Sequence, residues 1–101
     1  MSDETIDGEE EFVLPIEDFI DLHPFRPRDI RAVVESYLEE AVRHGFAEVR
    51  LIHGRGIGVQ RDAVRAVLEK NDRVLDFRDA PAERGGWGAT VARLDLSPGE
   101  D

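Results

Sequence analysis

Apolar positions along the chain fall into blocks whose period switches between that of a strand and that of a helix. In "FIDLH", residues 19–23, Ile20 and Leu22 lie on one face and Phe19, Asp21 and His23 on the other, as in a short strand. Pro24 and Pro27 stop that strand and open a helix, since proline is tolerated in a first helical turn. Ile30, Val33, Val34, Tyr37, Leu38, Ala41 and Val42 then recur at helical spacing, and Gly45 follows as a C-terminal stop. "AEVRLIH", 47–53, reads as a second strand, and Ala63, Val64, Val67 and Leu68 mark a second amphipathic helix ending near Asn71. "RVLDFR", 73–78, is a third strand with Val74 and Leu75 as its apolar start. "PAERGGWG", 81–88, is a loop by its Pro and Gly content, and "ATVARLDL", 89–96, is a final strand. The predicted fold is α/β, a two-layer α+β sandwich in which the order β-α-β-α-β-β builds a mixed sheet with two helices.

This order has a geometric consequence. Strand, crossover helix and strand in one sheet run parallel, so the carboxyl ends of the first two strands share an edge, where open α/β sheets place their ligands. Asp21 and His23 close the first strand and His53 closes the second. The three are expected to meet there, beside the stretch "IHGRGIGVQR", 52–61.

Charge divides the chain. The formal net charge is −10, but residues 1–18 carry eight acids and no base, leaving fifteen acids against thirteen bases in the rest. Twelve of those bases are arginine, whose planar fork suits phosphate, although a GC-rich coding sequence would give the same bias. Residues 1–15 read as an acidic disordered tail in which Phe12, Val13 and Leu14 pin the end, residues 16–97 as the folded domain, and 98–101 as a short C-terminal tail. With no cysteine, no 18-residue apolar run and no secretion signal, the expectation is a cytoplasmic monomer without disulfides or membrane contact.

The glycine-rich stretch carries the candidate chemistry. Gly54, Gly56 and Gly58 would let backbone amides at the start of the second helix approach an anion closely, and the helix dipole would favour it. Arg55 and Arg61 would add charge, with Arg26 and Arg28 nearby on the first edge loop. A histidine can move a proton at neutral pH, and a carboxylate two residues away can orient it. Such parts suit phosphodiester cleavage. The spacing matches neither the dinucleotide fingerprint nor a P-loop, and a glycine-rich turn or a lone histidine is often purely structural. His44 reads as a partner of the first helix's C-terminal dipole. No third ligand with metal spacing accompanies Asp21 and His23. Trp87, set among glycines, is read as a core plug in preference to a platform for base stacking.

Together, "IDLHPFRPRDI", "EVRLIHGRGIGVQRDAVRAVL" and "GGWGATVARL", in this order and spacing, resemble the Smr (small MutS-related) domain over about residues 19–96. The resemblance implies a nucleic-acid-directed domain, here a stand-alone member. Some members of the family nick DNA, often as the tail of a mismatch-repair-like ATPase, and others cleave RNA, including messages on stalled ribosomes. By position, the family's Asp-Leu-His falls on Asp21, Leu22 and His23, and its His-Gly-x-Gly on His53, Gly54, Arg55 and Gly56. Many members have glycine where Pro24 stands, and Pro24 has no N–H to offer a phosphate.

The expected activity is therefore an endonuclease acting on RNA or DNA. Asp21, His23 and His53 would be catalytic, His23 and His53 sharing the acid and base roles, while Gly54, Arg55, Gly56, Gly58, Arg61, Arg26 and Arg28 hold phosphate. RNA would supply its own nucleophile and need no metal. DNA would call for water activated with Mg²⁺ or Mn²⁺. The alternatives are a non-catalytic module that binds nucleic acid or the ribosome through the same edge, and an interaction domain that works through its acidic tail.

Overall fold

The structure, a computed structural model, describes residues 16–54 and 58–98. Strand β1 (Phe19–Asp21) leads through a 3-10 turn at Pro27–Asp29 into helix α1 (Ile30–Arg43). Strand β2 (Glu48–Ile52), helix α2 (Val59–Lys70), strand β3 (Val74–Asp79) and strand β4 (Ala89–Leu94) follow. The sheet order is β1-β2-β4-β3, with β1 parallel to β2 and β4 antiparallel to both β2 and β3. The mixed sheet and two helices are those predicted.

Alternation decides which face of the sheet is covered. Val49 and Leu51 of β2 and Ala92 and Leu94 of β4 share one core with Ile30, Val34, Leu38 and Ala41 of α1 and Val64, Val67 and Leu68 of α2. The opposite positions hold a small cluster of Ala89 and Val91 with Ala80 and Ile52. Beside it lie cross-strand ion pairs, Arg93 with Asp76 and Arg78 with Glu48. One face is a helix-covered core, and the other is largely charged.

The ends of the elements have local causes. Gly45 takes φ 82° and donates to Val42 O at 3.0 Å while Phe46 N donates to Ala41 O at 3.0 Å, a left-handed helix stop that glycine adopts at little cost. His44 caps the same helix, its Nδ1–H donating to Glu40 O at 2.9 Å, as its position predicts. Tyr37 Oη–H donates to Glu17 O at 2.6 Å, tying α1 to the chain just before β1.

Three local expectations change. The first strand ends at Asp21, although Leu22 N still donates to Ile52 O at 2.8 Å before the chain turns. Leu75, predicted as part of an apolar strand start, is 54% exposed because pairing with β4 shifts register between Val74 and Asp76 and interrupts the alternation. The final strand stops at Leu94, leaving Leu96 exposed. Phe12, Val13 and Leu14, expected to pin the acidic tail, lie outside the described residues, as do Arg55 and Gly56. Among the described residues no helix is long and apolar enough to cross a membrane.

Leu51 is fully buried on a central strand, between both neighbours of β2. Leu51→Ala is expected to lower unfolding free energy by about 2–5 kcal/mol, measured by denaturant titration, through lost burial and a cavity that the sheet backbone cannot collapse.

Candidate active site

The carboxyl ends of β1 and β2 share an edge with the start of β4, and Asp21, His23, His53 and Gly54 lie there. Asp21 ends β1 and accepts two hydrogen bonds at Oδ1: one from His23 N at 2.9 Å and one from His23 Nδ1 at 2.6 Å. The pairing of the carboxylate with its own backbone two residues on is a local turn that aspartate favours. Both side chains remain more than half exposed, 58% for His23 and 55% for Asp21. The His23 backbone N–H, and then its ring, hold the Asp21 carboxyl below the usual carboxylate range. With the Nδ1 proton given to a carboxylate, Nε2 is left as the basic nitrogen.

That nitrogen faces the glycine loop. A Cβ built on Gly54 would lie 2.6 Å from His23 Nε2, and Gly54 also has φ 90°. Gly54 is required both by its backbone conformation and by the approach of the imidazole. The loop after His23 is tied to the first turn of α2 through Gln60 Nε2–H donating to Phe25 O at 3.5 Å. Gly58, with φ 91°, precedes α2 as its N-cap with no capping side chain, so the amides of that turn are not held by a side-chain cap.

His53 is placed quite differently. It is only 4% exposed, and its ring has partners at both nitrogens: Gly54 O at 3.1 Å from Nδ1 and Thr90 Oγ1 at 2.9 Å from Nε2. A carbonyl only accepts, so Nδ1 carries the proton and Thr90 donates its hydroxyl to Nε2. Burial pushes the His53 pKa down, reinforced by the charges of Arg61 and Arg65. The two histidines are thus divided, one open to solvent and one buried with its neutral form favoured.

Arg61, expected at the phosphate, donates to Asp79 Oδ1 at 2.7 Å, as does Arg65 at 2.7 Å. These hydrogen bonds, Arg61's first, hold the Asp79 carboxyl below its ordinary range. Arg26 lies 3.8 Å from Asp29 and is exposed, and Arg28 is exposed beside it. Trp87 is 42% exposed, with the Arg61 guanidinium carbon 5.6 Å from its ring centroid. It is therefore no core plug: the turn Gly86–Gly88 turns it outward, and the neighbouring core positions are filled by Ala80, Ala89 and Val91. Among the described residues no group of three His, Cys, Asp or Glu side chains could hold a metal ion.

Thr90 and Asp79 were not singled out as site residues in the sequence. Asp79 is brought in by the pairing of β3 with β4, which sets it opposite Thr90, and Thr90 reaches His53 through the pairing of β2 with β4. A helix carrying Arg61 and Arg65 four apart is the signal that a carboxylate must face it.

The site belongs to a two-layer α/β domain with an aspartate-oriented histidine at the sheet edge. The Smr domain model matches residues 20–95, and the chain belongs to that family. It is 38% identical over 90 residues to the Endonuclease MutS2 of Halalkalibacterium halodurans, covering 89% of this chain and 11% of that protein. The Endonuclease MutS2 of Thermus thermophilus is 40% identical over 75 residues, 74% of this chain and 10% of that protein. The chain thus spans about a tenth of the length of these relatives. The crystal structure of the Smr domain of Thermus thermophilus MutS2 superposes with TM-score 0.72 at 39% identity, over 75% of this chain and 95% of that one. YdaL, a stand-alone small MutS-related protein from Escherichia coli, superposes with TM-score 0.74 at 26% identity, over 80% of this chain and 66% of that one.

Two outcomes follow from the buried histidine. Thr90→Val leaves His53 Nε2 buried without a donor and should cost about 1–3 kcal/mol in denaturant unfolding. Because the folded His53 binds its proton less tightly than the unfolded one, its share of stability is full above about pH 6.5 and falls as pH drops from there to the folded pKa. Melting temperatures at pH 7.5 and 5.5 should therefore differ more in the natural protein than in His53→Gln.

Proposed function

We propose that this domain is an endonuclease that cleaves phosphodiester bonds in nucleic acid, with His23 as the proton-transfer group. The observation that carries the reading is the Asp21–His23 pair at 2.6 Å, with the free Nε2 directed at Gly54 on the lip of the glycine loop. Kinship to proteins named endonuclease supports it.

In this reading the scissile phosphate lies over the loop from Gly54 to Gly58, with Arg55, Gly56 and the amides opening α2 as its anion partners. His23 Nε2 takes the proton of the attacking hydroxyl, the ribose 2′-hydroxyl in RNA or water on DNA. The new O–P bond forms as the bond to the departing oxygen breaks, and that oxygen is protonated from solvent, to which the site is open. Asp21 keeps the ring in the Nδ1–H tautomer and stabilises the imidazolium. His53 is a positioning residue: its bonds to Gly54 O and Thr90 shape the strand end that presents Gly54 to His23.

The test is cleavage of end-labelled single-stranded RNA and of supercoiled DNA by the purified chain. His23→Ala should reduce the rate by about 10²–10⁴, the usual share of general acid–base catalysis, while affinity stays within about twofold. Asp21→Asn keeps a hydrogen-bond acceptor but no charge, and should cost about tenfold or more. Retained binding with no cleavage by the natural protein would overturn the reading in favour of a non-catalytic module.

A further inference from the structure

We propose that Trp87 is a nucleobase-stacking platform beside the scissile phosphate, which makes the substrate of this site an unpaired stretch of nucleic acid. The proposal rests on the reading of the edge as a phosphodiester site and names the class of substrate that it takes.

A tryptophan left 42% exposed costs apolar surface in water, and its turn holds it there rigidly. Gly88 O accepts hydrogen bonds from His53 N at 3.0 Å and Gly54 N at 2.8 Å, while Gly88 N donates to Gly85 O at 3.0 Å and Gly86 N to Pro81 O at 2.9 Å. Gly85 and Gly86 take φ 118° and 57°, a path open to glycine, and a Cβ on Gly85 would crowd the Ala89 Cβ at 3.1 Å. The indole is thus carried one residue from the carbonyl that anchors Gly54. The placement of its backbone relative to Gly54 is set by backbone hydrogen bonds.

One part of the ring is engaged by the Arg61 guanidinium, 5.6 Å from the centroid, and Arg61 is itself held by Asp79. Arg65 shares the same carboxylate oxygen, so two cations meet one anion and the ground beneath the indole is net positive in a chain of net charge −10. An aromatic surface presented rigidly over positive charge matches a base linked to its phosphate. Across the edge, Phe25 is also exposed, on the loop that follows His23. In the strand order β1-β2-β4 the turns that carry the two aromatics lie on either side of the end of β2, so a chain laid across that end passes both. Bases inside a duplex are already stacked on each other and cannot use such a platform.

Trp87 is the chain's single tryptophan, so intrinsic emission reports this residue alone. The 101-residue His23→Ala chain, whose cleavage is slowed about 10²–10⁴-fold in this reading, is titrated with single strands of RNA and of DNA about eight nucleotides long, and with the corresponding blunt duplexes. Occupancy is followed independently by the anisotropy of a label on the oligonucleotide. Saturating single strands should quench Trp87 emission and duplexes should leave it unchanged, the RNA and DNA arms deciding which backbone is preferred. Trp87→Ala should weaken single-strand binding about tenfold, the effect of losing one stacked base, with Trp87→Phe recovering most of it and duplex affinity unmoved. Unchanged emission at full occupancy, equal weakening of single strands and duplexes, or no single-strand binding at all would each overturn the proposal. The readout is binding by a variant slowed in cleavage, so loss of quenching beside intact cleavage by the natural protein rejects the platform alone, and quenching without cleavage by the natural protein rejects the nuclease alone.

Discussion

The carbonyl of Gly88 accepts the backbone N–H groups of both His53 and Gly54, and much of the site depends on that double bond. It fastens the end of β2 to the turn that opens β4 just where the β2–β4 ladder gives out after Ile52 and Ala89. With the strand end held, the His53 ring stays within reach of Thr90, and Gly54 stays where His23 can lie against it. A side chain on Gly54 would push the imidazole away, and one on Gly85 would press on the residue that begins β4. Glycine at these positions serves close approach as well as backbone freedom, which distinguishes them from Gly45 and Gly58, where a Cβ would meet open space.

The fold was legible because each element carries its period locally. Helix α1 is announced by Ile30, Val34, Leu38 and Ala41, all of which are buried, and its end by Gly45. The neighbourhood of Asp21, His23 and Gly54 followed from topology, since parallel strands joined by a crossover must place their carboxyl ends together. What sequence could not supply was the identity of partners brought in by non-local pairing. Thr90 lies 37 positions from His53 and Asp79 lies 18 from Arg61, so neither contact leaves a local periodic trace. Trp87 was read as a plug on its hydrophobicity, whereas the direction a side chain takes from a turn with glycines at φ 118° and 57° is decided by the backbone. Leu75 was misplaced for a related reason, because a register shift leaves composition unchanged and reverses which neighbours face the core.

Charge acts in this domain through pairing more than through total. The side of the sheet away from the helices carries Arg93 with Asp76 on neighbouring strands and Arg78 with Glu48 across the width of β4, opposite charges that keep an uncovered sheet face polar. These pairs are about half exposed, and exposed pairs add little stability individually. The cluster at the edge differs: the Arg61 and Arg65 side chains are 25% and 28% exposed, and both reach a single oxygen of Asp79. One carboxylate cannot neutralise two guanidiniums. Positive charge is therefore concentrated near His53 despite an acidic chain.

The division between the histidines follows from the same arrangement. Side chains alternate along β2, and His53, two positions beyond Leu51, points toward the helix-covered layer, where Thr90 meets it and the nearby arginines discourage a second proton. His23 lies beyond the last paired residue of β1, in a turn closed by Phe25 N donating to Leu22 O at 3.1 Å, so alternation no longer dictates its direction and Asp21 does. Pro24 occupies the turn between them, where no hydrogen bond requires its N–H. A buried imidazole with both nitrogens engaged gives shape, and an exposed one with a carboxylate behind it leaves Nε2 open to solvent. The proposed mechanism draws on both, because the free nitrogen of His23 serves it only while the strand end carrying Gly54 holds still beneath it.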